Sequence, residues 1–109
     1  MAKTITIPYN GTEYTLEFNR ESVKPMEHAG FSIDQISSKP VTMLPMLFEG
    51  AFHMHHRRTD KEVIRKMFDK IKGKDELMAA LVELYNEPMK ALFDEPEDDE
   101  GNVTWGKNF

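Results

Sequence analysis

Residues Val41–Met54 read VTMLPMLFEGAFHM, and the rest of the chain must fold around them. Nine of the fourteen are apolar. On a helical wheel their side chains cover an arc of roughly 240°, where a surface helix needs a stripe of ~100°. The arc sorts by residue type. Val41, Leu44, Phe48, Ala51 and Phe52 fall on one side, Met43, Met46 and Met54 on the other, with Leu47 at the border. The first group suits the domain's own core. Methionine is unbranched, polarizable and cheap to repack, so the second group suits an adaptable contact with a partner. The expectation is a helix from near Pro40 or Thr42 to about His56 that buries one face in its own domain and offers the other to a second molecule. The competing reading is that the chain's own hairpin and helices wrap the whole arc.

Upstream, Asn10-Gly11 is the preferred dipeptide of a two-residue type I′ hairpin turn. It predicts that Ile7 faces Tyr14, Ile5 faces Leu16 and Tyr9 sits beside Thr12. Ile5, Ile7, Tyr9, Tyr14, Leu16 and Phe18 then share one face, which fixes the register. The missing N–H of Pro8 points away from the second strand and marks an edge. A lone hairpin is marginal in water, so its apolar face must meet helices. Asn19 or Ser22 caps a short helix ending at Gly30, with Pro25 tolerated only near its first turn. Ser32–Gln35 opens one more turn, and Ser37–Pro40 is a linker.

Downstream, Thr59-Asp-Lys-Glu62 has the form of a capping box. It opens a helix with Val63, Ile64, Met67, Phe68 and Ile71 on one stripe, ended by Gly73. Asp75 then caps a helix with Leu77, Leu81, Leu84 and Tyr85 inward. Pro88 is expected to break it, because the residue before a proline avoids the α region. The expected fold is α+β: an N-terminal hairpin on about four helices over residues 1–93, and a flexible acidic tail over 94–109. The expected core includes Leu44, Leu47, Phe48, Phe52, Val63, Ile64, Phe68, Leu81 and Leu84.

The 109 residues fit one domain with a modest core. There are no cysteines, so disulfides and thiolate metal sites are excluded. No apolar run spans a bilayer, and the N-terminus has no signal-peptide pattern. The net charge of −5 comes from Asp94–Glu100, which supplies six negatives; without it 14 basic residues face 13 acidic ones. A body so nearly neutral does not argue for nucleic-acid binding. The helix from Asp75 to Glu87 has no lysine or arginine to reach bases or phosphates, which argues against helix-turn-helix recognition.

No nucleotide-binding, hydrolase or metalloprotease motif is present, and the reading is non-enzymatic, without cofactor. The single metal candidate, His53 with His56, lacks a completing carboxylate or cysteine nearby. These histidines are better read as interacting with free carbonyls at a helix C-terminus. No metal site is expected. The acidic tail reads first as a solubilising run, but Trp105 and Phe109 amid polar residues also fit a short docking motif, so Trp105 joins Met43, Met46, Leu47 and Met54 as a candidate partner contact.

Three stretches, YNGTEYTLEF (Tyr9–Phe18), KPVTMLPMLFEGAF (Lys39–Phe52) and LYNEPMKALFDEPEDDEGNVTW (Leu84–Trp105), together resemble the tail assembly chaperones of long, flexible-tailed phages and prophages of Gram-positive bacteria. The resemblance brings no catalytic residues. It implies a factor of the host bacterial cytoplasm, absent from the mature virion, that coats the tape measure protein before the tail tube polymerises around it. It further implies contact with the major tail tube protein and self-association into a homo-oligomer. In many such phages a longer version arises by frameshifting; the resemblance implies that this chain corresponds to the short form, or to a system that lacks frameshifting. The alternative is a phage-encoded inhibitor or decoy that uses the acidic tail as a phosphate mimic.

Overall fold

The computed structural model describes residues 3–92 and 105–109. The fold is α+β: an N-terminal antiparallel hairpin, β1 (Ile5–Tyr9) and β2 (Thr12–Leu16), with four helices, α1 (Arg20–His28), α2 (Pro40–Gly50), α3 (Lys61–Lys70) and α4 (Lys74–Ala91). A single 3₁₀ turn, Ile33–Gln35, lies between α1 and α2. The expected acidic stretch falls on residues outside those described. Among the described residues no helix is long and apolar enough to cross a membrane.

The hairpin follows from its turn. Asn10 and Gly11 both take positive φ, 49° and 81°, as a type I′ turn demands. The register pairs Ile5 with Leu16, Ile7 with Tyr14 and Tyr9 with Thr12, as the alternation predicts. Ladder hydrogen bonds alternate along an antiparallel pair, so Thr15 points its N–H outward. That N–H donates to Nε2 of His56 at 2.9 Å, and the Glu17 N–H donates to the Ala51 carbonyl at 3.1 Å. On the other strand Pro8 supplies no donor at all.

Helix α1 starts at a reciprocal cap: Oδ1 of Asn19 accepts from the Ser22 N–H at 2.8 Å, and Oγ of Ser22 accepts from the Asn19 N–H at 2.9 Å. Serine stands where a capping box usually has glutamate, which suits a site where Ser22 is buried. Pro25 lies inside this helix rather than in its first turn.

Helix α2 stops at Gly50, six residues short of the expected end. Beyond it Phe52 N–H bonds the Glu49 carbonyl and His53 N–H the Gly50 carbonyl. These i→i−3 bonds tighten the chain into a turn. Tertiary contacts favour the turn over more helix: it buries Ala51 and Phe52 and delivers His56 to the edge of β2. The cap of α3 is Asp60, whose Oδ1 accepts from the Glu62 N–H at 3.1 Å, and not Thr59. Gly73, left-handed at φ 70°, precedes α4 as its N-cap, so Asp75 falls in the first turn instead.

Pro88 does not break α4, which runs on to Ala91. So near the C-terminus the ring forfeits only the bond to the Leu84 carbonyl, while Leu81, Leu84 and Tyr85 hold the helix in the core.

The core joins Ile7, Leu16 and Phe18 from the N-terminal region to Val23 and Met26 of α1, Leu47 and Phe48 of α2, and Leu81, Leu84 and Tyr85 of α4. Tyr85 meets both Phe18 and Phe31 edge-on, at 5.4 and 5.2 Å between ring centroids. Lys3 bridges Glu83 and Glu87 on α4 at 3.5 and 2.9 Å.

Candidate functional site

The two sides of α2 are not divided as side-chain type suggests. Met43 is 4% exposed and Leu47 is fully buried, both in the core cluster. Met46 is half-buried and packed against that cluster. Met54 is half-buried too, but it lies beyond the end of α2, beside His55 and Arg57. The expected methionine face therefore does not exist as a continuous exposed surface. The physical reason is that α2 is apolar almost all round, so the wheel alone cannot orient it. Helix α1 covers the Met46 side, with Pro25 and Met26 beside it, and Met54 falls outside the helix.

What α2 leaves open is the other edge. Val41, assigned to the core from the wheel, is 87% exposed, and Leu44 and Pro45 are only half-buried. Val41, Leu44, Pro45 and Phe48 are spaced i, i+3, i+4, i+7, which places them on one stripe. The stripe leads into a cleft of about 270 Å³ between α2 and α3, lined by Pro45, Phe48, Ile64 and Phe68, with Glu49, Arg65 and Asp69 as charged walls. That volume falls below the range of about 300–1,000 Å³ usual for small-molecule sites. It suits one or two side chains of a docking segment. Phe68 is held from behind: its ring packs on Phe48 at 5.1 Å, and Nζ of Lys74 stands 5.8 Å from its centroid.

Glu49 was not singled out in the sequence, where it looks like any exposed helix carboxylate. Its Oε1 is buried and accepts no hydrogen bond from the described residues, and Nε of Arg65 stands 3.8 Å away in a long ion pair. The only foreshadowing was its place beside Phe48 on an otherwise apolar helix.

The histidines serve the fold. His53 and His56 do not share a helix face, because α2 has ended before them. Nε2 of His56 accepts from the Thr15 N–H, while its ring packs edge-on against Tyr14 at 5.0 Å. His55 pairs with Glu17 at 2.8 Å. Among the described residues no group of three or more His, Cys, Asp or Glu side chains is placed to hold a metal ion.

Trp105 is 86% exposed. A second apolar cleft of about 220 Å³ lies between α1 and α4, lined by Val23, Pro88, Met89 and Leu92 with Arg20 and Lys24 at its rim. A shallow hollow of about 550 Å³ over Met54–Thr59 is larger, but it is built from polar and basic side chains.

No curated protein and no solved structure matches the chain. One family model covers all of it, residues 1–109, and the chain accordingly belongs to the family described as a domain of unknown function, DUF5055.

Proposed function

We propose that this protein is a non-enzymatic assembly chaperone that seats a helical, apolar segment of a phage tape measure protein in the α2–α3 cleft. It keeps that segment soluble in the host cytoplasm until tail tube subunits displace it, and it is absent from the finished particle. The observation that carries this reading is the open stripe Val41–Leu44–Pro45, which continues into a cleft with an apolar floor and charged walls. An amphipathic helix laid into a groove makes contacts of this kind. Val41 adds at most ~1.5–3 kcal/mol when a partner covers it. A single contact is therefore weak, and affinity for a long partner comes from many copies bound in a row, which is where self-association enters. Weak individual contacts also let the coat leave.

The test is co-expression. Alone, the tape measure protein should be insoluble; with this chain it should become soluble. Val41→Glu and Leu44→Glu together should abolish the rescue while far-UV circular dichroism and urea unfolding stay close to wild type. Rescue that persists with both glutamates would refute the assignment of this cleft.

A further inference from the structure

We infer that the helix held in the α2–α3 cleft carries a lysine or arginine on the same face as its apolar stripe, and that this cation pairs with Glu49. The inference rests on the reading of the cleft as a helix site and adds the charge of the occupant. Glu49 lines the wall of the cleft whose floor Phe48 forms. One oxygen of that carboxylate is buried and accepts no hydrogen bond from the described residues. Buried polar atoms without a partner are rare in native structures, and each asks for an explanation.

Among the described residues the chain's own cations supply only one long ion pair, from Arg65. Arg65 reaches 3.8 Å, too far for a hydrogen bond, and its side chain is 68% exposed. Lys61 and His53 flank Glu49 on its other side, towards α1, and form no salt bridge with it among the described residues. The walls of the cleft thus carry two carboxylates, Glu49 and Asp69, against one guanidinium. An occupant with a cation complements that imbalance, and an acidic one meets like charge. Lysine and arginine are also the residues whose apolar stems can lie along a greasy floor while the charged head reaches a wall.

The experiment uses the full chain and three fluorescent 20-residue helical peptides with one leucine stripe. They differ at a single position beside the stripe: Lys, Gln or Glu. Fluorescence anisotropy at fixed salt should show the Lys peptide binding about tenfold tighter than the Gln peptide, with Glu weakest. Glu49→Gln keeps the size of the side chain, and it should remove the preference for the Lys peptide over the Gln peptide. Equal binding of all three peptides, or a Lys preference that survives in Glu49→Gln, would overturn the charge inference and leave the cleft as a helix site. Binding of none of the peptides would overturn both. Sedimentation of the chain alone gives a further check. A dimer that Glu49→Gln dissociates would place a second copy in the cleft and overturn the assignment to a foreign helix.

Discussion

Replacing Gly50 with alanine tests how α1 and α2 fit together. Gly50 ends α2 with no positive φ, so its backbone accepts alanine without strain. In open space the change would stabilise by ~0.4–1 kcal/mol, because the unfolded chain loses freedom. The space is not open. A Cβ built on Gly50 lies 2.4 Å from Sδ of Met26, 2.7 Å from its Cε and 3.0 Å from its Cγ. Met26 is buried, and its thioether, the flexible end of the side chain, must swing aside to admit the Cβ. Overpacking of that kind costs about 1–3 kcal/mol. The difference is a net loss near ~1.3 kcal/mol, which at a urea m-value of about 1.5 kcal/mol/M lowers the midpoint by a little under ~1 M. In a Met26→Ala background the obstruction is gone, and Gly50→Ala should then raise the midpoint. The four proteins of this double-mutant cycle are compared by urea titration at constant m-value. If Gly50→Ala raises the midpoint equally in both backgrounds, the packing of Met26 over Gly50 is wrong.

Met43→Ala should cost ~2–5 kcal/mol in urea unfolding, and Val41→Ala less than about 0.5 kcal/mol; the reverse order would turn α2 over. His56→Phe keeps a ring against Tyr14 but leaves the Thr15 N–H without an acceptor, so it should lose about 1–3 kcal/mol, and amide exchange at Thr15 should accelerate. The hydrogen bond from Lys3 holds the Glu87 carboxyl below its ordinary value of 4.5. A carboxyl lowered in the folded state contributes stability above its unfolded pKa and loses it as pH falls through the folded value. The midpoint difference between wild type and Glu87→Gln should therefore be present at neutral pH and close as pH drops below about 4.5. A gap that widened on acidification would contradict the pairing.

Local chemistry made most of the fold legible. Asn10-Gly11 specifies its turn through two positive φ angles, and the alternation on each side then leaves one register. The stripe Val63–Ile71 and the inward set Leu81, Leu84 and Tyr85 have helical periodicity with a single apolar face, so their orientation is decided by burial alone. Helix ends were less legible. Asp60 displaced Thr59 by one residue, and Pro88 passed inside α4, because caps and prolines are settled by fractions of the energy that core packing controls.

The candidate site was the least legible. Met43 and Val41 are two residues apart on a helix with no polar face to mark the outside. Which of them is covered depends on where α1, α3 and α4 come to rest against α2, and that is set by contacts far away in sequence. Glu49 becomes unusual only once Phe48, Ile64 and Arg65 surround it.

The hairpin's outer rims have a consequence for how the molecule behaves when crowded. An isolated two-stranded sheet normally offers two open templates along which foreign strands can zip and seed fibrils. Here one rim is interrupted at Pro8, and the other is occupied by an imidazole and a carbonyl from the turn after α2. That turn thus acts as a latch. Mutations that loosen it would expose a growth point for β-aggregates well before the helical core melts.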